Sequence, residues 1–263
     1  MKKSSPCICR ENTSEIEREL GELNSPCAAK RRILLHSCCG PCSTACIERL
    51  LPDYKVTVFY YNPCITDPEE YERRKANQIK FIEAFNKDVP EEDQVVFIEG
   101  EYLPEEYFDM VQGLEDCPEG GARCTECFKQ RLDRTARAAL AMGYPIFGTT
   151  LTVSPHKNYQ LISLIGTELG EVYGLEFLDM DFKKKAGFQR SIELSKKYEL
   201  YRQNYCGCEY SAGGHTHDHE ENRKKTLRCS HESQKSDYSR SRSGYASAAQ
   251  HQEHPQGDAS AGG

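Results

Sequence analysis

The feature that most constrains the fold is a regular alternation of short apolar runs with helical patterns along the middle of the chain. The apolar runs predict five strands, at residues 33–35, 56–61, 95–98, 145–149 and 176–178. Helical patterns follow four of them, ending near Leu51, Phe85, Met142 and Gly170, and Ser154-Pro155 is predicted to open and cap the last. Strand–helix alternation of this kind predicts an α/β fold with a parallel sheet and helices on both faces.

This alternation defines the domain organisation. We predict a polar N-terminal extension over residues 1–30, one α/β domain over 31–210, and a disordered polar tail over 211–263, which is rich in Gly, Ser, His, Arg and Gln. The N-terminus has no apolar segment typical of a signal peptide, and no run approaches 18 apolar residues. We therefore expect a cytoplasmic protein with no membrane partner.

Composition directs attention to cysteine, because the 263-residue chain contains 14 cysteines. In a reducing cytoplasm, so many thiols indicate metal ligation or redox chemistry rather than structural disulfides. The formal net charge of −7 excludes a uniformly basic nucleic-acid coat but allows a local basic patch.

Three cysteine groups follow one another along the chain. The first is Cys38-Cys39-Gly40-Pro41-Cys42, at a predicted strand-to-helix turn, where the helix N-terminus favours thiolates. The second is Cys124-Thr125-Glu126-Cys127, and together the two groups supply the four thiolates of a [4Fe–4S] cluster or a zinc site. The third is Cys206-Gly207-Cys208, whose spacing suits a strained, redox-active disulfide or a metal. Cys39-Gly40-Pro41-Cys42 also matches the thioredoxin tetrapeptide, but the other cysteine groups do not fit a thioredoxin.

Polar residues at the same sheet edge predict an anion-binding site. Ser154, His156 and Lys157 follow the fourth predicted strand at a helix start, which is suited to phosphate. Asn62 follows the second strand, and a basic stretch that includes Lys183, Lys184 and Arg190 could form a phosphate-binding strip. Helix capping and a solvated charged face are the alternative explanations.

Taken together, these motifs resemble the QueH family of cobalamin-independent epoxyqueuosine reductases. The resemblance covers about residues 32–210 and rests on an ordered set of segments: LLHSCCGPC at 34–42, FYYNP at 59–63, PEGGARC at 118–124, CF at 127–128, LTVSPHK at 151–157, GFQRS at 187–191 and YRQNYCGC at 201–208. The chain departs from the family at Cys64, where members tend to have Asn, and at Cys117.

The resemblance implies a fold, a reaction and a set of site residues. The fold would be adenine-nucleotide α-hydrolase-like (HUP-like). The reaction would be removal of the epoxide oxygen of epoxyqueuosine, giving queuosine at the wobble position of tRNAs with GUN anticodons, with electrons from an unidentified donor. Cys38, Cys39, Cys124 and Cys127 would hold a [4Fe–4S] cluster, Cys42 would contribute to an additional iron, and Cys206 and Cys208 would be a redox-active pair. Asn62, Ser154, His156, Lys157, Lys183, Lys184 and Arg190 are the candidate substrate-binding residues.

Two other functions are compatible with the same residues. A zinc-stabilised tRNA-binding module could use the first two cysteine groups, but it would not need the third. An ATP-dependent tRNA sulfur-transfer enzyme of the same fold would need a Gly/Ser-rich pyrophosphate loop after the first strand. Ser37-Cys38-Cys39-Gly40 occupies that place, so we expect no ATP requirement.

Overall fold

A computed structural model describes residues 30–212 of the chain. The predicted N-terminal extension and almost all of the predicted polar tail therefore lie outside the described residues. The predicted domain boundary at Tyr210 falls inside a short helix, α7 (Glu209–Ala212), so the folded segment continues slightly further than the sequence suggests.

The strands form one five-stranded parallel sheet. They are β1 (Arg31–Ser37), β2 (Tyr54–Tyr60), β3 (Val96–Glu99), β4 (Ile146–Thr149) and β5 (Glu176–Phe177). Their order across the sheet is β3-β2-β1-β4-β5, and every neighbouring pair is parallel. This confirms the predicted α/β fold class.

Helices cover both faces of the sheet. They are α1 (Gly40–Leu50), α2 (Pro68–Asn86), α3 (Pro104–Val111), α4 (Ala122–Ala141), α5 (Tyr159–Tyr173) and α6 (Gly187–Lys197), with short 3-10 turns at Glu91–Asp93 and Thr150–Val153. One apolar core lies between the sheet and the helices α1 and α2, and it includes Ile47 and Phe81. A second core lies on the other face against α4 and α5, and it includes Leu132 and Ile165.

The predicted helix start at Ser154-Pro155 is wrong. Ser154 ends the 3-10 turn instead, and α5 begins at Tyr159. Asn158 caps it, because its side chain accepts a hydrogen bond from the backbone N–H of Leu161 at 3.2 Å. Helices α3 and α6 were not predicted at all. Among residues 30–212, no helix combines the length and the apolarity that a bilayer crossing requires.

Candidate active site

The strand order locates the site. Because β2 and β4 flank β1 on opposite sides, chain connections leave β1 and β4 in opposite directions across the sheet. In open parallel sheets, ligands bind in the crevice at the carboxyl ends of the strands where this reversal occurs. Cys38 directly follows β1, and Thr150 directly follows β4. The first cysteine group therefore lies where such a fold places its ligand.

A buried hydrogen-bond network shapes the turn that carries this cysteine group. Ser37 Oγ donates to Gln78 Oε1 at 2.7 Å, and Gln78 Nε2 donates to Ser43 Oγ at 2.9 Å. Asn62 Nδ2 donates to the carbonyl oxygen of Ser37 at 2.9 Å. Asn62 is fully buried and holds the backbone of the turn, while its Oδ1 has no hydrogen-bond partner.

Gly40 allows α1 to pack closely against α2. A Cβ atom at this position would lie 2.8 Å from the backbone oxygen of Asn77, a distance that side-chain carbons do not adopt. The absence of a side chain at Gly40 therefore lets the cysteine turn sit directly on α2.

Cys38, Cys39 and Cys42 form a thiol triad at this turn. Their three sulfurs lie within 4.8 Å of one another, and the Cys38 and Cys39 Sγ atoms are 3.9 Å apart. A tetrahedral ion with metal–sulfur bonds of about 2.3 Å separates its ligand sulfurs by about 3.8 Å. The triad therefore fits a single thiophilic metal ion.

The thiols of the triad differ in their acidity. Hydrogen bonds with the Cys38 and Cys42 thiols hold the pKa of Cys39 well below its ordinary value, and Gln203 Nε2 contributes by donating to Cys39 Sγ at 2.9 Å. The same contacts raise the pKa of Cys42. Cys39 is thus the triad's most thiolate-like member.

Cys127, from the second cysteine group, lies in a separate buried cluster. It packs with Cys64, Cys208, Tyr107 and Val111. A hydrogen bond with Cys127 lowers the pKa of the Cys64 thiol to about 6. Among the described residues, Cys127 and Cys124 do not join the triad within 4.8 Å. A four-iron cluster takes one thiolate on each iron and so needs wider sulfur spacing than a single ion does.

Sequence reasoning gave Cys64 no role. The available signal was its position directly after Asn62-Pro63, at the carboxyl edge of β2, where the other site segments also converge. Cys124, by contrast, is half-buried in the first turn of α4, where the backbone N–H of Gly120 donates to its sulfur at 3.2 Å.

The two thiols of the third cysteine group lie in different surroundings. Cys206 lines an internal cavity, whereas Cys208 is buried in the cluster with Cys127. Both are free thiols. Gly207 between them has φ of 114°, and a Cβ there would lie 2.9 Å from Arg74 Nη1, so the bend between the two thiols requires glycine.

The cavity has a volume of about 260 Å³ and brings the first and third cysteine groups together with cationic side chains. Its lining includes the thiols of Cys38, Cys42 and Cys206 and the cations Arg74, Arg131, Lys157 and Arg202. Lys157 Nζ lies 3.3 Å from Cys206 Sγ. Burial acts to lower the pKa of Lys157, but its interactions with Cys206 and Cys38 together outweigh burial, and the pKa is raised.

The structure brings some predicted substrate-binding residues to this cavity and not others. Ser154, His156 and Lys157 line it. Lys183 contacts Lys157 instead: its Nζ donates a hydrogen bond to the carbonyl oxygen of Lys157 at 3.1 Å. Lys184 is exposed, and Arg190 is engaged with Glu48 and Glu193 on the surface. Lys183, Lys184, Arg190 and Asn62 do not line the cavity.

His36 lies at the end of β1, directly before the cysteine turn, and it is fully buried. Its Nε2 lies 3.1 Å from the carbonyl oxygen of Tyr61, and its Nδ1 lies 3.0 Å from Thr149 Oγ1. Since a carbonyl oxygen only accepts, Nε2 carries the proton. Burial, assisted by the charge of Arg131, lowers its pKa to about 4, so the ring is neutral and joins β1 to β4.

A parallel α/β sheet with free thiols from three chain segments at its carboxyl edge defines a class of proteins that use cysteine for metal or redox chemistry. The family model described as epoxyqueuosine reductase QueH matches residues 33–213. A protein named epoxyqueuosine reductase QueH from Streptococcus pyogenes serotype M1 is 40% identical over 201 residues, which are 76% of this chain and 78% of the relative.

Relatives with the same name occur in distant bacteria. The one from Staphylococcus epidermidis is 44% identical over 183 residues, covering 69% of this chain and 76% of the relative. The one from Thermotoga maritima is 36% identical over 182 residues, covering 68% and 89%. The chain belongs to the QueH family of epoxyqueuosine reductases, as its motifs predicted.

Proposed function

We propose that this chain is an oxidoreductase that removes the epoxide oxygen of epoxyqueuosine in tRNA and leaves queuosine. The observation that carries the proposal is the family match over residues 33–213, which contains the three cysteine groups. The convergence of Cys38, Cys42 and Cys206 on one cavity supports it, because a redox reaction on a bound group needs electron-donating thiols or metals beside the substrate.

The electron balance gives Cys206 and Cys208 a role. Converting an epoxide to an alkene releases the oxygen as water and consumes two electrons and two protons. A dithiol that becomes a disulfide supplies both, and a reductant must then regenerate it. Cys206 faces the cavity and Cys208 is two residues away, which supports this pair as the redox-active dithiol.

The other cysteines suit a thiolate-bound metal centre. We propose that Cys38, Cys39, Cys124 and Cys127 hold a [4Fe–4S] cluster and that Cys42 contributes to an additional iron. The sulfur-only donor set fits iron or zinc, and the Cys42 sulfur lies close enough to those of Cys38 and Cys39 for an additional iron to adjoin the cluster. The 3.9 Å between the Cys38 and Cys39 sulfurs suits a single ion, so these two side chains would turn apart to bind two irons of a cluster. When bound, such groups supply single electrons and a Lewis-acidic iron.

Lys157 provides positive charge at the cavity. Its ammonium lies 3.3 Å from the Cys206 sulfur and can stabilise negative charge that develops on a departing oxygen. His36 is unsuited to that task because it is neutral and bonded at both nitrogens.

The proposal includes a macromolecular substrate, a tRNA with a GUN anticodon, and an electron donor that is not identified. Lys157 and Arg202 at the cavity and the exposed Lys184 suit a phosphate backbone. A cytoplasmic location is part of the same proposal, because thiols that bind metal have to stay reduced.

One observation favours a second candidate function. The triad spacing matches one tetrahedral ion, which is also the arrangement of a structural zinc site in a tRNA-binding module. Such a module would not depend on Cys206 and Cys208 for any turnover.

The test is conversion of epoxyqueuosine in tRNA by anaerobically prepared protein. After digestion to nucleosides, mass spectrometry should show queuosine when a reductant is present, without added ATP. The relative from Streptococcus pyogenes serves as the positive control. No conversion by this chain under conditions in which the relative is active would overturn the proposal.

A Cys206→Ser variant tests the dithiol separately. We expect it to lose multiple turnover. Full multiple turnover by this variant would exclude the Cys206–Cys208 pair as the source of electrons.

A further inference from the structure

Arg131 is a buried cation that the proposed reaction leaves without a role. It lies one helical turn after Cys127 on α4 and lines the cavity, yet only 2% of the residue is exposed. Its Nε donates to the carbonyl oxygen of Cys127 at 3.1 Å, and its Nη2 is buried without a hydrogen-bond partner. Burying a guanidinium with so few partners is costly.

The two other buried arginines make more hydrogen bonds than Arg131. Arg74 Nε donates to Glu70 Oε1 at 2.6 Å in a buried ion pair, and its two Nη atoms reach the carbonyl oxygens of Cys206 and Tyr205. Arg123 has one unpartnered nitrogen, Nε, but its Nη1 donates to three backbone carbonyl oxygens, those of Leu114, Glu115 and Cys117. Among residues 30–212, Arg131 has no carboxylate within ion-pair distance.

The surroundings of Arg131 identify what compensates its charge. Arg131 lines the cavity together with Cys38, Cys42 and Cys206, and its Nε hydrogen bond holds it against Cys127. These four cysteines include members of all three cysteine groups. The Phe128 ring, with its centroid 5.6 Å from the guanidinium carbon, adds only a weak cation–π contact.

We propose that Arg131 is the internal counter-ion of the cysteine centre: its guanidinium compensates the negative charge of thiolates bound to a metal. This inference rests on the proposed metal-binding role of those cysteines. Arg131 is a positioning residue, since it acts through the ligands. Its Nη2, which has no hydrogen-bond partner, can donate a hydrogen bond to an acceptor that binds together with the metal.

The proposal predicts opposite effects with and without metal. Without metal, Arg131 is a buried charge with poor compensation, so replacing it by an apolar side chain should leave stability unchanged or increase it. With metal, the same replacement removes the compensation for the thiolates and should weaken binding. A residue that acts only through packing would lose stability in both states.

The experiment uses the full chain, freed of metal by a chelator under anaerobic conditions and titrated with Co²⁺ alone. The thiolate–cobalt charge-transfer absorption reports binding. We expect Arg131→Met to weaken Co²⁺ affinity by about 10- to 100-fold. Arg131→Lys, which keeps the charge, should stay within about threefold of the unmodified protein.

Arg134→Met is the matched control, because Arg134 lies on the same helix, is exposed and pairs with Glu101. It should leave Co²⁺ affinity unchanged. Unchanged affinity in Arg131→Met would overturn the proposal, and so would a metal-free Arg131→Met protein that melts at a lower temperature or does not fold. Loss of affinity in Arg131→Lys equal to that in Arg131→Met would also overturn it. Because the test uses no tRNA, its outcome is independent of the epoxyqueuosine assay.

Discussion

Cys42 and Cys46 lie one turn apart on α1 but have different environments. Cys42 is half-buried and belongs to the thiol triad, whereas Cys46 is fully buried in the apolar core. Burial raises the pKa of Cys46, so its thiol stays neutral. Only Cys42 is therefore placed to bind metal.

Replacing these two cysteines gives a matched pair of variants. Cys42→Ala should lower the metal content of the purified protein with little loss of stability. Cys46→Ala should keep its metal but lower the free energy of unfolding by about 1 kcal/mol, because it leaves a small cavity. Metal analysis and urea unfolding measure the two effects, and equal metal loss in both variants would contradict the assignment.

Residue patterns identified Cys38, Cys39 and Cys42 as one cysteine group but not the place of Cys64. The group was recognisable because its three cysteines are close in sequence, next to a strand end. Cys64 meets Cys127 only through the packing of loops from different strands. A single cysteine 63 residues from its neighbour in space has no local pattern that reports the contact.

At the scale of elements, the segment from Tyr201 to Cys208 brings the third cysteine group to the site. Asn77 on α2 binds both backbone groups of Tyr201, at 2.9 and 3.0 Å. Further along, Arg74 Nη1 donates to the carbonyl oxygen of Cys206, and the N–H of Thr66 donates to that of Gly207. These bonds fix an irregular segment between α2 and the loop after β2.

Gly207→Ala should destabilise the protein more than the matched substitution Gly113→Ala. Gly113 also has positive φ, 83°, but an added Cβ there would meet nothing within 4 Å. Both variants incur backbone strain, and only Gly207→Ala adds a collision with Arg74 and Ile65. We expect it to lower the free energy of unfolding by about 1–3 kcal/mol more than Gly113→Ala does. Equal losses in urea unfolding would show that the close contact is unimportant.

The elements themselves were predictable where periodicity was strong. The five strands and the helices after β1, β2 and β3 were located to within a few residues, apart from the missed α3. Helix α5 was misplaced because Ser154-Pro155 and Asn158 both look like caps, and tertiary packing of the Thr150–Val153 turn selects the second. Helix α6 was missed because its preceding lysines suggested only a charged surface.

At the scale of the whole molecule, sequence predicted the sheet type but not the strand order. Parallel pairing follows from the intervening helices, whereas the order β3-β2-β1-β4-β5 depends on where each crossover packs. That order brings the ends of β1 and β4 together and so creates the cavity. The proposed cluster ligands Cys38, Cys39, Cys124 and Cys127 remain a prediction.

The positive charge of Lys184 leads to a prediction about which part of the protein surface binds tRNA. Lys184→Glu should weaken tRNA binding and reduce the slope of log affinity against log salt by about one unit. Lys55→Glu makes the same change in charge near the start of β2, at the opposite edge. It should alter neither quantity. Salt-dependent binding curves that change equally in both variants would contradict a tRNA-binding surface at the site.

The most direct test of the proposed redox centre is a count of iron, acid-labile sulfide and zinc per chain in anaerobically purified protein, together with its visible spectrum. A coloured protein with about four iron and four sulfide, plus further iron that Cys42→Ala removes, is the predicted result. A colourless protein that holds one zinc and no sulfide would contradict it and would favour the structural zinc site.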